Sequence, residues 1–346
     1  MHGGFNRAQI VFDWGVMDFH RRLHCTHLRR PSRGPHPDSF LCSFKKLLMR
    51  VVTVGTGTDG YYDTLVESCS RLGLELTNLG TGQKWEGLIT KVRLFKDYLR
   101  TVPDDEVIMF VDAYDVVIIE EEAAILRKFR SFQKPIVFSV QKGLFARTFI
   151  GDSGQDGSLC TGTYMGYARA IRELLDLAYT EQALAEGLSD QFILNEAGAA
   201  NPFFKEKVAC DSDQEIFFVT DFDDFFAPAY WLSGDINGLT PGPNRALSAS
   251  KGQPSVVHFA AALDGNKYIR HLGYDPSRVK PIAHSFKLRQ VGNYFLLWLA
   301  GIGKYIVLAL LLAAFIIYRS FSLPSSTKGR VKPRPRPPPL RRSPRR

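Results

Sequence analysis

The chain has 346 residues, of which 45% are hydrophobic, so it is long and apolar enough to form a large folded domain with a substantial core. Its net charge of +9 is unevenly distributed, because residues 319–346 carry ten basic and no acidic side chains and residues 1–50 carry nine basic and three acidic ones. Residues 51–318 therefore have a net charge of −7, which argues against nucleic acid as the main partner of this region. The five cysteines show no C-x-x-C spacing, so neither a zinc site nor a disulfide framework is predicted.

The first 48 residues are rich in Arg, His, Pro and Gly and lack a sustained hydrophobic period. We expect a disordered basic segment here. No convincing signal peptide is present, because the apolar stretch from Ile10 to Phe19 is interrupted by Asp13 and Asp18.

Between residues 49 and 290 the sequence alternates between strand and helix patterns. Short apolar and β-branched runs predict strands over Arg50–Val54, Leu74–Leu79, Val107–Val111, Pro135–Val140 and Ser255–His258. Amphipathic stretches predict helices through Leu65 to Leu72, over Thr90–Val102 and Glu120–Phe132, and from Ser189 onward. This alternation predicts βαβ units and an α/β domain with a doubly wound sheet, although residues 150–260 are more irregular.

A D-x-x-D motif, Asp112 and Asp115, directly follows the apolar run Val107–Val111. Ligands of such sheets bind outside the carboxyl ends of the strands. Carboxylate oxygens suit Mg²⁺ or Mn²⁺, which in turn bind substrate phosphates. The motif alone equally allows an acidic turn that caps the helix predicted over Glu120–Phe132.

Four further features are candidates for ligand binding, each with a structural alternative. The loop Thr53–Gly57 could let backbone N–H groups approach a nucleotide, although it matches no complete phosphate-binding motif. Lys91 is placed to meet a diphosphate or to be solvated, and His258 is a third metal ligand or a structural histidine. Asp190 either lies at a helix N-terminus, where the helix dipole favours a carboxylate, or faces a substrate hydroxyl.

Residues 294–318 contain a single charged side chain, Lys304, and a basic Pro/Arg-rich tail follows them. This length suffices to cross a bilayer core of about 30 Å. We therefore expect a transmembrane helix over 294–318, rather than a buried core helix, and a disordered tail over 319–346. The basic tail predicts a single-pass membrane protein of the ER or Golgi with a lumenal catalytic domain.

Several motifs occur in one order along residues 50–275. They are T-V-x-T at Thr53–Thr56, W-x-G at Trp85–Gly87, K-V-R-L at Lys91–Leu94, D-x-Y-D-V at Asp112–Val116, G-Y-A at Gly166–Ala168, D-Q at Asp190–Gln191, and the strand-end His258. In combination they resemble the glycosyltransferase domain of the procollagen lysyl hydroxylases.

The resemblance implies a GT-A-type (Rossmann-like) mixed sheet flanked by helices over residues 49–290, with a UDP-sugar as donor and Mn²⁺ as cofactor. It implies metal ligation by Asp112, Asp115 and His258. It implies donor contacts by Thr53, Thr56, Trp85, Lys91, Tyr114 and Lys267. Asp190 and Gln191 would be catalytic residues on the acceptor side.

The chain departs from the family pattern in three places. The S-G-G-F-I-G run reads T-G-T-Y-M-G at residues 161–166, and the H-G-N-G-P-x-K loop after His258 is replaced. The hydroxylase region is absent, so lysine hydroxylation is not expected.

The expected activity is transfer of galactose or glucose from a UDP-hexose to a hydroxyl acceptor on protein or glycan. Hydroxylysine or a hydroxylysine-linked sugar is one candidate acceptor. Two alternatives stay open: a non-catalytic glycan- or partner-binding membrane protein that retains the fold, and a transferase acting on a non-collagen glycan or a lipid.

Overall fold

The computed structural model describes residues 49–185, 188–225, 227–249, 252–260, 263–280 and 310–315. The chain divides into two units, Met1–Lys46 and Leu47–Arg346, and all described residues belong to the second. The segment 1–48 and the tail 319–346, both expected to be disordered, lie outside the described residues.

The described residues contain short strands and helices in alternation. The strands are β1 (Met49–Thr53), β2 (Leu76–Asn78), β3 (Val107–Val111), β4 (Val116–Ile118), β5 (Ile136–Gln141), β6 (Ser158–Tyr167), β7 (Val208–Cys210), β8 (Phe217–Val219), β9 (Leu239–Pro241), β10 (Leu247–Ala249) and β11 (Val256–His258). The helices are α1 (Tyr62–Arg71), α2 (Leu88–Leu99), α3 (Glu122–Ser131), α4 (Leu144–Phe149), α5 (Ala168–Ala178), α6 (Glu181–Ala185), α7 (Asp190–Ala200), α8 (Pro202–Lys207), α9 (Phe222–Phe225), α10 (Pro228–Ser233) and α11 (Asn266–His271). Two 3₁₀ turns cover Pro243–Arg245 and Pro276–Arg278.

Six strands form the main sheet in the order β2-β1-β3-β6-β5-β7. Strand β1 is parallel to β2 and β3, and β5 is parallel to β7, whereas β6 runs antiparallel to both of its neighbours. The predicted mixed α/β sheet flanked by helices is therefore present. The irregular pattern of residues 150–260 concealed β6, a ten-residue strand at the centre of the sheet that is buried except at its last residue.

The two faces of this sheet pack against different helices, as the side-chain alternation of β3 illustrates. Ile108 and Phe110 point to a core completed by α2, α5 and α7. Val107, Met109 and Val111 point to a second core completed by α1 and α3. Burial on both faces explains why β3 is a continuous apolar run without polar alternation.

A second sheet has the order β4-β11-β8, and β4 is the next strand along the chain after β3. Strand β4 begins directly after Asp115 and pairs antiparallel with β11, so that Val116 lies opposite His258. Helix α3 begins only at Glu122. The alternative in which Asp112 and Asp115 cap that helix is therefore wrong, because a strand separates them from it.

The predicted span 294–318 lies outside the described residues except for 310–315, which are helical. In the described part of the chain, no helix combines the length and apolar character that crossing a membrane requires. On this finding the prediction of a single-pass membrane protein of the ER or Golgi is wrong, whereas most of the predicted helix 294–318 lies outside the described residues.

Candidate functional site

The ends of three chain segments bring two carboxylates and one imidazole together. Asp112 and Asp115 follow β3, and His258 is the last residue of β11. Their ligand atoms all lie within 4.8 Å of one another. His258 Nε2 is 3.3 Å from Asp115 Oδ1 and 3.9 Å from Asp112 Oδ2. The sequence placed these three residues at strand ends, and the structure brings them together.

Backbone hydrogen bonds fix this arrangement. The Asp112 N–H donates to the Gly162 carbonyl at 2.7 Å, which ties the end of β3 to β6. The Phe259 N–H donates to the Asp115 carbonyl at 2.8 Å, which ties β11 to the turn after β3. The geometry of the cluster is therefore set by the meeting of the two sheets.

The cluster is electrostatically coupled. Burial of His258 lowers its pKa, but the Asp115 carboxylate and the Cys160 sulfur outweigh this effect and hold the pKa well above the usual histidine value. Loss of solvation raises the pKa of Asp112; Lys91 opposes this rise and the Asp115 carboxylate adds to it. Asp115 Oδ1 is buried and has no hydrogen-bond partner among the described residues. Such an atom, next to another carboxylate and an imidazole, is suited to a cation.

Two residues of β6 shape the wall of the cluster. Cys160 Sγ is 3.7 Å from His258 Nδ1, so Nε2 is the imidazole nitrogen that faces the carboxylates. Gly162 has no room for a side chain, because a Cβ there would lie 2.6 Å from Asp112 Oδ2 and closer still to His258 Cε1. Glycine at this position therefore lets the side chains of Asp112 and His258 pack directly against β6.

Lys91, on α2, connects the cluster to Asp190. Its ammonium lies 3.2 Å from Asp112 Oδ1 and 2.7 Å from Asp190 Oδ2. Both Lys91 and Asp190 are buried. Burial lowers the pKa of Lys91, but the two carboxylates outweigh it and the net shift is upward. Lys91 is thus a buried counter-ion of two acids rather than a solvated lysine, and its contact with a diphosphate stays a prediction.

Asp190 and Gln191 form the first turn of α7. Ser189 caps this helix, accepting a hydrogen bond from the Phe192 N–H. The Tyr179 hydroxyl donates to the Asp190 carbonyl at 2.9 Å. The Gln191 amide donates to Gln141 Oε1 at 2.9 Å, at the end of β5. Asp190 therefore occupies the helix N-terminus and is an ion-pair partner as well.

The loop after β1 is held by two side chains from neighbouring segments. The Tyr114 hydroxyl accepts a hydrogen bond from the Gly57 N–H at 3.0 Å. Asn78 Oδ1 accepts from the N–H groups of Gly55 and Gly80, and its amide donates to the Gly55 carbonyl. The predicted nucleotide loop is thereby fixed against the D-x-x-D turn and the end of β2.

The other predicted donor contacts occupy different environments. Thr53 is fully buried, and its hydroxyl has no hydrogen-bond partner in the part of the chain that the structure describes. Thr56 is half-buried in the loop after β1, and Trp85 is 44% exposed before α2. Lys267 is paired with Asp235 and donates to the Ser233 carbonyl, so its ammonium is engaged away from the cluster. Their donor contacts remain predictions.

A groove of about 350 Å³ lies between the first turns of α2 and α7. Its walls are mostly aliphatic, and Asp190 lies on its edge together with Glu86. The lining includes Glu86, Leu88, Val92, Leu188, Asp190 and Ile193. Space for a ligand therefore exists beside Asp190.

Sequence reasoning missed Asn78, Gln141, Cys160 and Gly162. Asn78 and Gln141 are polar residues that end strands β2 and β5, and this position at the sheet edge was the available signal. Gly162 lies in the run 161–166 that departs from the family pattern, but neither Gly162 nor Cys160 was predicted to lie at the cluster, because β6 itself was not predicted.

Comparison with solved structures gives weak similarities. A galactosyltransferase, LgtC, crystallised with donor and acceptor sugar analogs, aligns with a TM-score of 0.40 and 12% identity over 65% of this chain and 95% of its own. A glycosyltransferase involved in glycosylation of the major capsid of PBCV-1 aligns with a TM-score of 0.36 and 10% identity over 65% of this chain and 98% of its own. At these values neither similarity carries weight in the assignment.

Curated relatives match part of the chain. A multifunctional procollagen lysine hydroxylase and glycosyltransferase of Caenorhabditis elegans is 34% identical over 150 residues, covering 38% of this chain and 20% of the relative. The human multifunctional procollagen lysine hydroxylase and glycosyltransferase LH3 is 26% identical over 177 residues, covering 44% and 24%. The matches thus span about a fifth to a quarter of the length of these relatives.

A family model provides broader coverage. The model of the PLOD GT domain matches residues 45–218, half of the chain. The match includes the β1 loop, the D-x-x-D turn, β6 and the start of α7, and it ends before His258. The chain belongs to the PLOD GT domain family.

Proposed function

We propose that this protein is a Mn²⁺-dependent glycosyltransferase that transfers galactose or glucose from a UDP-sugar to a hydroxyl acceptor. Membership of the PLOD GT domain family supports glycosyl transfer as the reaction class. The relatives named as procollagen glycosyltransferases suggest hydroxylysine or a hydroxylysine-linked sugar as the first acceptors to test.

The convergence of Asp112, Asp115 and His258 is the observation that carries the proposal. The two aspartates lie within the region that matches the family, whereas His258 lies 40 residues beyond its end at 218. The three side chains nevertheless meet at the edge where two sheets join. This is where ligands of α/β sheets bind, outside the carboxyl ends of parallel strands.

The donor set fits a divalent cation that accepts oxygen and imidazole ligands. Asp112, Asp115 and His258 would hold it, since Asp115 Oδ1 is buried beside His258 and makes no hydrogen bond within the described residues. When bound, Mn²⁺ would neutralise the charge that develops on the leaving diphosphate. Lys91 pairs with Asp190 and holds it beside the groove, where Asp190 would orient the acceptor hydroxyl.

The test is UDP release from a panel of UDP-hexoses with Mn²⁺, with hydroxylysyl peptide and simple glycans as acceptors. We expect metal-dependent turnover that Asp112→Asn and Asp115→Asn both abolish, because each removes an anionic ligand. Asp97→Asn is the matched control, since Asp97 is an exposed acid on α2 whose ion-pair partner among the described residues is Arg100. The control should retain wild-type turnover.

Two outcomes would change the assignment. If Asp112→Asn and Asp115→Asn turn over as fast as the wild type, the metal assignment is refuted, although the assignment of glycosyl transfer stands. Tight binding of UDP and Mn²⁺ by folded protein, with no UDP release from any UDP-hexose, would instead assign a non-catalytic binding role.

A further inference from the structure

A buried glutamine connects the helix that carries Asp190 to the interior of the sheet. Gln141 is the last residue of β5 and is only 2% exposed. Its Oε1 accepts a hydrogen bond from the Gln191 amide at 2.9 Å, and its own amide donates to the Thr220 carbonyl at 2.9 Å. Both ends of the Gln141 side chain are therefore used.

Thr220 continues this connection to the strand that ends in His258. Its N–H donates to the His258 carbonyl at 3.1 Å. Its hydroxyl donates to the Ala260 carbonyl at 3.0 Å. A continuous series of hydrogen bonds thus runs from the first turn of α7 to the backbone of a candidate metal ligand.

The cost of burying an amide explains why such a contact fixes geometry. A buried donor or acceptor without a partner costs about 1–3 kcal/mol, so movement of α7 that separated Gln191 from Gln141 would leave the buried Gln141 Oε1 unpaired. A buried network in which each partner is satisfied has one favoured arrangement. The position of Asp190, adjacent to Gln191, is thereby coupled to that of β8 and β11.

We propose that Gln141 is a positioning residue for the transfer reaction, holding the first turn of α7 at a fixed place relative to the cluster of Asp112, Asp115 and His258. This inference rests on the proposed function. Gln141 acts through Gln191 and Thr220 and touches none of the cluster side chains in the described hydrogen bonds. Its loss should therefore impair turnover more than it impairs binding of the metal or of the donor.

The experiment is a double-mutant cycle of Gln141→Met and Gln191→Met, with methionine chosen because it keeps length and removes hydrogen bonding. We expect each single variant to lower kcat roughly ten- to hundred-fold, since displacements of about 1 Å at a reacting centre have effects of this size. The KM for the UDP-sugar and the affinity for Mn²⁺ should stay within about twofold. The double variant should be no slower than the slower single variant, because both substitutions break one connection.

The pH dependence of the activity of Gln141→Glu distinguishes loss of this hydrogen bond from a general packing defect. Its deprotonated carboxylate would face the Thr220 carbonyl, whereas the protonated form could again donate to it. We expect the activity of this variant, relative to wild type, to rise as the pH falls. Ser139→Ala is the matched control, because Ser139 is buried on the same strand and bonds to Thr163 rather than to α7.

Absence of turnover in the wild type would refute the proposed function, and the positioning role with it. If the wild type is active, unchanged kcat in Gln141→Met refutes the positioning role alone. So do independent, multiplying losses in the double variant, or an equal loss of kcat in Ser139→Ala.

Discussion

Adding a single methyl group at Gly162 should test the candidate metal site directly. A Cβ at this position would lie 2.6 Å from Asp112 Oδ2, whereas ordinary contacts between non-bonded atoms lie near 3.5 Å. Asp112 Oδ2 must therefore move by about 0.9 Å and His258 Cε1 by more, unless β6 shifts away from both. Metal–ligand distances tolerate deviations of only about 0.2 Å. Gly162→Ala should therefore lower Mn²⁺ affinity by about tenfold to hundred-fold.

The assay is calorimetric titration of Mn²⁺ into Gly162→Ala, with urea unfolding measured in parallel. Overpacking should also lower the free energy of unfolding by about 1–3 kcal/mol, which leaves a folded protein to titrate. Gly252→Ala is the control, because the nearest atom to its added Cβ would be 3.7 Å away. Wild-type affinity in Gly162→Ala would refute the reasoning, since the metal would then bind away from this wall.

Three further predictions concern stability and donor binding. Lys91→Met should lower the free energy of unfolding by about 3 kcal/mol in urea titrations, because it leaves two carboxylates without their buried counter-ion; an unchanged value would contradict this. Asn78→Ala should raise the KM for the UDP-sugar about tenfold with little change in Mn²⁺ affinity, because the β1 loop loses its hydrogen bonds to Asn78. Loss of Mn²⁺ binding without this rise in KM would contradict a role of the loop in donor binding. Burial raises the pKa of Asp221 to about 6, so the folded state retains that proton longer than the unfolded state and stability falls as the pH rises from about 4 to 6. Between pH 4 and 7 the wild type should therefore lose more of its free energy of unfolding than Asp221→Asn, and an equal loss would oppose this assignment.

The parallel part of the fold could be predicted because its strands are buried on both faces. Val107–Val111 is a strand with the predicted bounds, and β5 differs from the predicted strand by one residue at each end. Strand β6 escaped prediction because it carries polar residues that are satisfied only in the tertiary structure. Thr163, for example, bonds to Ser139 on the neighbouring strand.

The residues of the candidate site also differ in whether local sequence could predict their role. Asp112 and Asp115 were identifiable, because a carboxylate pair after an apolar run marks a strand end locally. The role of Lys91 was not, since its partners Asp112 and Asp190 are 21 and 99 residues away along the chain. The connection through Gln141 likewise depends on segments 50 and 79 residues distant.

The buried ion pairs of Lys91 have a consequence for the order of folding and metal binding. Because an ammonium already neutralises part of the negative charge of Asp112 and Asp190, this side of the site is assembled without any cation. We therefore expect folding and binding of the proposed metal to be separable, unlike in small zinc domains, where the ion is required for folding. A chelator should abolish turnover and leave the circular dichroism spectrum unchanged. Adding the ion back should restore turnover without a refolding step.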